Sequence, residues 1–119
     1  KFIRDSKFFF SISLFGRGEE LRDHIFVNDL VKNTGKIIYG DFNGIFNLAS
    51  GKIISFFQIA NVIKNSSKKK VNLLFKPRKG PMPHNGYRAF NINKLKKNFQ
   101  NLNMKKITKP FFKKLIKDY

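Results

Sequence analysis

The stretch Leu14-Phe15-Gly16-Arg17-Gly18-Glu19-Glu20-Leu21-Arg22-Asp23-His24-Ile25-Phe26-Val27-Asn28-Asp29 decides how the rest of the chain is interpreted. The apolar segment that leads into it, Phe8 to Phe15, alternates in its second half, which predicts an extended segment. Gly16-Arg17-Gly18 then forces a turn. His24 to Val27 is a short β-prone piece, and Asn28-Asp29 can cap the helix that follows. The stretch therefore predicts a strand, a turn and the start of a helix.

Two further strands are predicted downstream of this stretch. Ile45 to Ala49 is apolar on both sides, as is typical of a strand buried within an α/β sheet. Val71 to Phe75 is the second strand. Between them Ser55 is a good N-cap for a helix. The core-facing positions of that helix are Phe56, Ile59, Ala60 and Ile63.

The last third of the chain predicts a loop and two helices. Pro77 to Gly86 contains three prolines and two glycines, so it is irregular. A helix is expected around Lys94 to Phe99, and Thr108 caps a final helix with Pro110 in its first turn. Its apolar stripe is Ile107, Phe111, Leu115 and Ile116. Strands that alternate with helices predict the α/β class, with few strands flanked by helices. Such apolar strands would leave faces uncovered, and a missing partner lobe is the simplest remedy.

The net charge of +18 is very unevenly distributed. Residues 1–59 carry eight Lys/Arg and six Asp/Glu (+2), whereas residues 60–119 carry seventeen and one (+16). One interpretation is a small basic module that binds nucleic acid. The other is a solvated, lysine-biased surface, because only five of the twenty-five basic residues are arginines and base readers favour arginine. Both interpretations are carried forward.

Composition also bounds the kind of site and compartment. The chain of 119 residues has no cysteine, which excludes disulfides and thiolate metal sites, and its two histidines lack carboxylates at metal-ligand spacing. The longest apolar run is too short to span a bilayer, and no signal peptide is visible. We therefore expect a cytoplasmic protein that binds no metal and no membrane.

The opening stretch is similar to the pattern G-x-G-x-x-x-R-D-x-x-x-V-x-D of the extended short-chain dehydrogenase/reductase family, which includes the NAD-dependent nucleotide-sugar epimerases and dehydratases. Residues 44–51 resemble the next strand and turn of that family, and residues 77–80 resemble its p-x-R-x-G element. Residues 88–95 resemble a following helix start, although Asn91 replaces the usual Asp. The elements are weak singly, but they occur in order along nearly the whole chain.

The resemblance implies roles for two arginines. Arg22 resembles the arginine that reaches the diphosphate of a nucleotide sugar, a task that suits a guanidinium fork. The alternative is an internal salt bridge with Asp23 or Glu20. Arg78 resembles a second phosphate or ribose contact, and its alternative is ordinary loop solvation.

Three other residues are candidates for the same substrate site. Phe15 lies where family members place an apolar side chain beside the base, or else it belongs to the core. Arg88 and His84 lie in one loop and could approach the nucleotide, although a lone histidine is more often structural.

The chain lacks the parts that would carry out the chemistry. Gly16-x-Gly18 has no third glycine at dinucleotide spacing, so it is a turn and not a Rossmann fingerprint. The resemblance implies a catalytic Tyr with a Lys four positions later, but Tyr39 and Tyr87 have asparagine there and Tyr119 ends the chain. We therefore expect residues 1–119 to be the C-terminal substrate-binding part of such an enzyme, inactive alone. The full enzyme would use NAD or NADP, bound by an N-terminal Rossmann lobe, and could be a homodimer.

Overall fold

The structure, a computed structural model, describes residues 1–40, 42–99, 104 and 108–118, without the side chains of Lys109, Lys117 and Asp118. The helices are α1 (Phe2–Phe8), α2 (Val27–Tyr39), α3 (Phe56–Ser66), α4 (Asn93–Asn98) and α5 (Lys109–Asp118), with a 3-10 helix at Pro83–Gly86. The strands are β1 (Ser11–Phe15), β2 (Leu21–Asp23), β3 (Ile53–Ser55), β4 (Asn72–Lys76) and β5 (Tyr87–Arg88).

The core forms where β1 and β4 pair in parallel and pack against helices. Alternate residues of β1 are buried, because successive side chains of a strand point to opposite faces. A parallel pair requires a crossover connection, and the segment between these two strands includes α3. The buried cluster consists of Ile12, Leu14, Ile59, Ala60, Ile63, Val71 and Phe112.

The N-terminus of α3 is fixed by a capping box. The Ser55 hydroxyl accepts a hydrogen bond from the Gln58 backbone N–H at 3.0 Å, and the Gln58 side-chain oxygen accepts one from the Ser55 N–H at 2.9 Å. Such a cap stabilises a helix by about 1 kcal/mol. The predicted cap and the predicted core positions Ile59, Ala60 and Ile63 are confirmed.

A second, smaller sheet has the strand order β3-β2-β5. The central strand β2 is antiparallel to β3 and parallel to β5. The Gly16-Arg17-Gly18 turn connects β1 to β2, and the Phe57 N–H donates to the Gly18 carbonyl at 2.8 Å. Gly18 has a φ of +69°, and a Cβ there would lie 3.0 Å from the Phe57 nitrogen. Glycine at this position therefore lets the turn approach the start of α3 closely.

The predicted strand at Ile45 to Ala49 is wrong for the chain as described. No strand among the described residues pairs with this segment, and the Ile45 side chain is 88% exposed. The Asn47 side-chain amide instead donates to the Asn91 carbonyl at 3.1 Å. A strand needs a neighbouring backbone for its hydrogen bonds, so apolar residues alone do not create one.

Other element boundaries are corrected as well. The segment predicted to be extended from Phe8 begins as the end of α1, and only Ser11–Phe15 is a strand. The β-prone piece at His24 to Val27 is not a strand; β2 lies just before it, where the backbone can pair on both sides. Helix α2 begins at Val27 with Phe26 at the N-cap, so Asn28-Asp29 lies in its first turn instead of capping it.

The C-terminal predictions are mostly confirmed. Strand β4 and helix α4 lie within a residue or so of the predicted positions, and Leu95 of α4 is buried as expected. In α5 the most buried side chain is Phe112, with Phe111 beside it half-buried. Ile107, which the prediction placed in the same stripe, lies outside the described residues.

Large apolar side chains remain exposed on one face of α2 and in the segment before β3. Val27, Val31 and Ile38 of α2 are all at least 60% exposed. The Cα radius of gyration is 16.5 Å, against about 13.5 Å for a compact domain of this length. Over the described residues, none of the helices has the length and hydropathy that crossing a bilayer requires.

Candidate functional site

Two arginines that are far apart in the sequence meet on one buried carboxylate. The Glu20 side chain, just before β2, is only 9% exposed. Its Oε2 atom accepts a hydrogen bond from Arg22 Nη2 at 2.8 Å, and its Oε1 atom forms an ion pair with Arg78 Nη1. Each oxygen of Glu20 therefore holds one guanidinium. We call Glu20, Arg22 and Arg78 the arginine cluster.

Arg22 is also bound to backbone carbonyls. Its Nη2 atom donates to the Pro83 carbonyl at 2.9 Å, and Nη1 donates to the Leu21 carbonyl at 3.3 Å. Its side chain is 14% exposed. The ion pair with Glu20 is one of the alternatives that the sequence left open for Arg22, and the structure contains it. Binding of a diphosphate by Arg22 stays a prediction.

Arg78 links the cluster to Phe15. The Nη2 atom of Arg78 lies 3.4 Å from the Phe15 carbonyl, a long hydrogen bond. Its buried Nε–H finds no acceptor among the described residues. The Phe15 side chain is 60% exposed, so it does not belong to the core. The ion pair with Glu20 means that Arg78 is more than a solvated loop residue.

The other two predicted residues lie around the same cluster. Arg88 on β5 is in register with Arg22 on β2, and its guanidinium lies 5.5 Å from the centroid of the Phe90 ring. His84 follows Pro83, whose carbonyl binds Arg22, and it has a left-handed backbone with a φ of 53°. The structure thus brings Arg22 and Arg78 together on Glu20, places Pro83, the neighbour of His84, against Arg22, and sets Arg88 on the adjacent strand.

The arginine cluster retains positive charge in spite of its acid. Two guanidinium groups and one carboxylate sum to +1. The neighbouring residues carry both signs, because Arg88 on the adjacent strand is positive and Glu19, whose carboxylate interacts with Arg78, is negative. Each guanidinium carries five N–H donors. Arg22 uses three of them in hydrogen bonds within the described part of the chain, which leaves two. The cluster can therefore still donate to an anion.

Asp23 has a structural role that the sequence did not reveal. Its Oδ1 atom accepts from the Ser50 backbone N–H at 2.9 Å and from the Ser50 hydroxyl at 2.7 Å, while Oδ2 accepts from the Gly51 N–H at 2.7 Å. Gly51 has a φ of +70°, and a Cβ there would collide with Ile92. The carboxylate next to Arg22 therefore holds the turn before β3. The contact joins residues 27 positions apart, so no local sequence pattern could have predicted it.

His24 is a half-buried neighbour of the cluster. Burial lowers its pKa; the negative charge of Asp23 opposes this shift, and the positive charge of Arg22 adds a smaller effect in the same direction as burial. Its ring packs edge-on against Phe56 with 5.4 Å between centroids. Its Nε2 atom is buried without a partner among the described residues. These contacts indicate a structural histidine.

Glu19, adjacent to Glu20, is different because it is exposed. A hydrogen bond from its own backbone amide lowers the pKa of Glu19, and the Arg17 N–H, 2.7 Å from Oε2, acts in the same way. The Glu19 carboxylate therefore lies over the glycine turn, while Glu20 points into the cluster.

The Gly16-Arg17-Gly18 turn does not have the geometry of a dinucleotide-binding turn. In a dinucleotide fingerprint, a glycine-rich turn opens a helix whose N-terminus faces the pyrophosphate. Here the Gly16-Arg17-Gly18 turn leads from one strand into another. No step through the cofactor is therefore assigned to these residues.

Comparison with solved structures identifies the fold. The structure of UDP-N-acetylglucosamine 4-epimerase from Methanobrevibacter ruminantium M1 in complex with UDP-N-acetylmuramic acid matches with a TM-score of 0.72 and 24% identity, covering 98% of this chain and 37% of that one. This chain has the fold of the C-terminal part of such an epimerase. The predicted α/β class and the family resemblance are thus confirmed at the level of the fold.

Two further comparisons agree with this epimerase-like fold. The Bordetella bronchiseptica enzyme WbmH, in complex with NAD+, matches with a TM-score of 0.71 and 13% identity over 94% of this chain and 36% of that one. UDP-glucuronic acid decarboxylase 2 of Arabidopsis thaliana is 28% identical over 73 residues, 61% of this chain and 16% of that protein. The chain thus spans little more than a third of the solved structures it matches. No family model matches the chain.

Proposed function

We propose that this chain is the substrate-binding part of an NAD(P)-dependent nucleotide-sugar epimerase or dehydratase, and that Arg22 and Arg78 bind the diphosphate of the substrate. The observation that carries the proposal is that these two arginines, which are 56 residues apart in the chain, both bind Glu20. The arginines are placed by separate elements, β2 and the loop after β4. Together they form a pre-positioned pair of guanidinium groups that can donate hydrogen bonds to an anion.

The charge balance suits a diphosphate. Glu20 neutralises one of the two guanidinium charges, and Arg88 adds a third positive group on the adjacent strand. The net charge of +1 on the cluster itself is opposite in sign to that of a sugar-linked diphosphate. Charge-assisted hydrogen bonds from a guanidinium to phosphate are about twice as strong as neutral ones. A ligand oxygen could also satisfy the unpartnered Nε–H of Arg78 after a small shift of that side chain.

The neighbouring residues would complete the nucleotide site. Phe15 offers an exposed ring beside the cluster, where a base can lie against it. His84 and Arg88 border the same side, near the carbonyl that binds Arg22. These groups bind and orient the substrate; the chemistry that NAD supplies, transient oxidation of a sugar carbon, would take place on residues of another lobe.

Exposed apolar residues support a missing NAD-binding lobe. Ile45 and the α2 face formed by Val27, Val31 and Ile38 are exposed, and the segment from Ile45 to Ala49 pairs with no described strand. Exposed patches of this kind usually mark interaction sites. We propose that the segment joins the sheet of an N-terminal Rossmann lobe in the complete enzyme. A homodimer remains part of this proposal only through the family resemblance.

The diphosphate proposal is tested by calorimetric titration of the purified chain with UDP-N-acetylglucosamine, UDP and uridine. We expect the two diphosphates to bind and uridine to bind much more weakly. Arg22→Ala should weaken UDP binding by about 2 kcal/mol, or about thirtyfold, because a charged hydrogen-bond donor is lost. The affinity of Arg22→Lys for UDP should lie between that of the parent chain and that of Arg22→Ala, since lysine keeps the charge but lacks the planar guanidinium.

Arg17→Ala is the matched control. Arg17 is exposed and lies in the turn five residues before Arg22. Its substitution by alanine removes the same charge as Arg22→Ala. It should leave UDP binding nearly unchanged. Equal losses in the two alanine variants, or equal binding of UDP and uridine, would contradict the proposal.

A further inference from the structure

Eight of the eleven described residues that line a groove at the opposite side of the core are lysines or serines, and the lysine stems and two apolar side chains supply much of its surface. It has a volume of about 1040 Å³ and lies between the end of α1, the end of α3 with the loop after it, and α5. We call it the lysine groove. Its lining is Ser6, Lys7, Phe10, Asn65, Ser66, Ser67, Lys68, Lys69, Lys113, Lys114 and Ile116.

The groove is strongly positive even after the nearest negative groups are counted. Among the described residues, five lysines and no acid are in its lining. Two helices, α1 and α3, end at its wall, and each helix C-terminus contributes about −0.5 charge. The sum is therefore about +4. The acid on α1, Asp5, is not in the lining and pairs with Arg4 at 3.3 Å.

The polar groups of the groove are suited to phosphate oxygens. The Ser66 hydroxyl is buried without a hydrogen-bond partner among the described residues. Asn65 and Ser67 place an amide and a hydroxyl among the lysines. Lysine ammonium groups are flexible point charges with three donors each, so they accommodate anions without demanding one geometry.

The aromatic residue of the groove is already engaged. Phe10 has a left-handed backbone with a φ of 49°, and the Lys69 ammonium lies 4.7 Å from its ring centroid. Proteins that bind single-stranded nucleic acid combine a basic groove with aromatic rings on which bases stack. Here the ring instead positions a lysine. The groove offers charge and polar donors for phosphate, and its one described ring already has a lysine against it.

We propose that the lysine groove binds a linear chain of linked phosphate groups, such as inorganic polyphosphate or the triphosphate of a nucleotide. The recognition is electrostatic and independent of any base. The site is separate from the arginine cluster and does not depend on the function proposed for it.

The test uses calorimetric titration of the chain with sodium tripolyphosphate at 50 mM and 200 mM NaCl. We expect binding that weakens with salt, as phosphate contacts with lysines do. Lys113→Glu with Lys114→Glu should weaken binding by about tenfold or more, because two contacts become repulsive. Lys68→Gln with Lys69→Gln, in a loop where folding is less at risk, should weaken it in the same direction.

The matched control is Lys96→Glu with Lys97→Glu on α4, an adjacent exposed pair of lysines with the same change of charge. It should alter tripolyphosphate binding by less than about twofold, since neither lysine is among the lining residues of the groove and salt screens exposed charges. Thermal unfolding of each variant confirms that it is folded.

Three outcomes would overturn the proposal. The first is absence of tripolyphosphate binding at 50 mM NaCl. The second is an equal loss in the α4 control, which would mean that only the net charge of the chain matters. The third is a single-stranded oligothymidylate that binds the groove more tightly than polyphosphate of equal charge, which would make it a nucleic-acid site. Similar affinities for ATP and tripolyphosphate, both weakened in the Lys113-Lys114 variant, would support the proposal.

Discussion

The arginine cluster and the lysine groove are both positive, but they are built in different ways. In the cluster, two guanidinium groups lie on one buried carboxylate and on backbone carbonyls, so each has a defined position. In the groove, five lysines line an open concavity, and none of the described residues in its lining is acidic. Fixed donors can select a ligand by its geometry, whereas flexible donors respond mainly to its charge. The comparison shows that basic residues in this chain of net charge +18 are arranged in two different ways.

The largest expected effect comes from removing the acid that holds the cluster together. Glu20→Ala should lower the free energy of unfolding by about 3 kcal/mol, because two largely buried guanidinium groups lose their counterion. Urea denaturation at pH 7 measures it. Glu20→Gln should cost less, since the amide oxygen can still accept one hydrogen bond.

Glu19 provides the matched control for this prediction. It is the adjacent residue, has the same charge and is exposed, so Glu19→Ala should destabilise the chain much less than Glu20→Ala. If the two variants unfolded at the same urea concentration, the carboxylate of Glu20 would not be what fixes the two arginines.

A smaller effect of opposite sign is expected in the groove. Lys68→Gln with Lys69→Gln should change the free energy of unfolding by no more than about 0.5 kcal/mol, as surface substitutions usually do. At low salt the change should be stabilising, because repulsion between lysines is relieved, and it should vanish near 1 M NaCl, where the Debye length is about 3 Å. A clear destabilisation at both salt concentrations would show that these lysines hold structure beyond the contact between Lys69 and the Phe10 ring, and the contrast with the cluster would fail.

The smallest effect concerns pH. Burial lowers the pKa of His24 below its ordinary value of 6.5, so the unfolded chain takes up a proton that the folded chain resists. This contribution to stability is present above about pH 6.5 and is lost as the pH falls towards the lowered pKa. Urea denaturation between pH 7.5 and 5 should show the decline for the parent chain and less of it for His24→Phe.

His84→Gln is the control for the pH prediction, because His84 is exposed and its substitution should leave the pH dependence intact. A decline that disappeared with His84 and persisted without His24 would contradict the assignment.

Local signals in the sequence predicted the core well. The capping box at Ser55, the buried positions of α3 and the strand β4 depend on neighbours within a few residues, and all three are present. The short strands β2, β3 and β5 could not be predicted in this way. Each has two or three residues, too few for a periodic pattern, and they form because distant backbones meet.

The failed strand at Ile45 to Ala49 illustrates the same limit. Its composition favours a strand, but pairing needs a partner strand, and the described residues provide none. An apolar pattern predicts where a strand can form; long-range pairing decides whether it does.

For the site, the sequence supplied the residues but not their arrangement. Arg22 and Arg78 were found through the family pattern, and Glu20 entered only as a competing partner for Arg22. Glu20 can bind both arginines only because the loop after β4 returns beside β2. The role of Asp23 in holding the Ser50-Gly51 turn is equally tertiary.

The most direct measurement of the central claim is an NMR titration that follows the side-chain Nε–Hε signals of all five arginines as UDP-N-acetylglucosamine is added. The signals of Arg22 and Arg78 should shift together and saturate at one ligand concentration, while those of Arg4 and Arg17 stay in place and uridine produces no shift. If the Arg22 and Arg78 signals remained unmoved while the ligand bound elsewhere, the arginine cluster would be a purely structural ion pair.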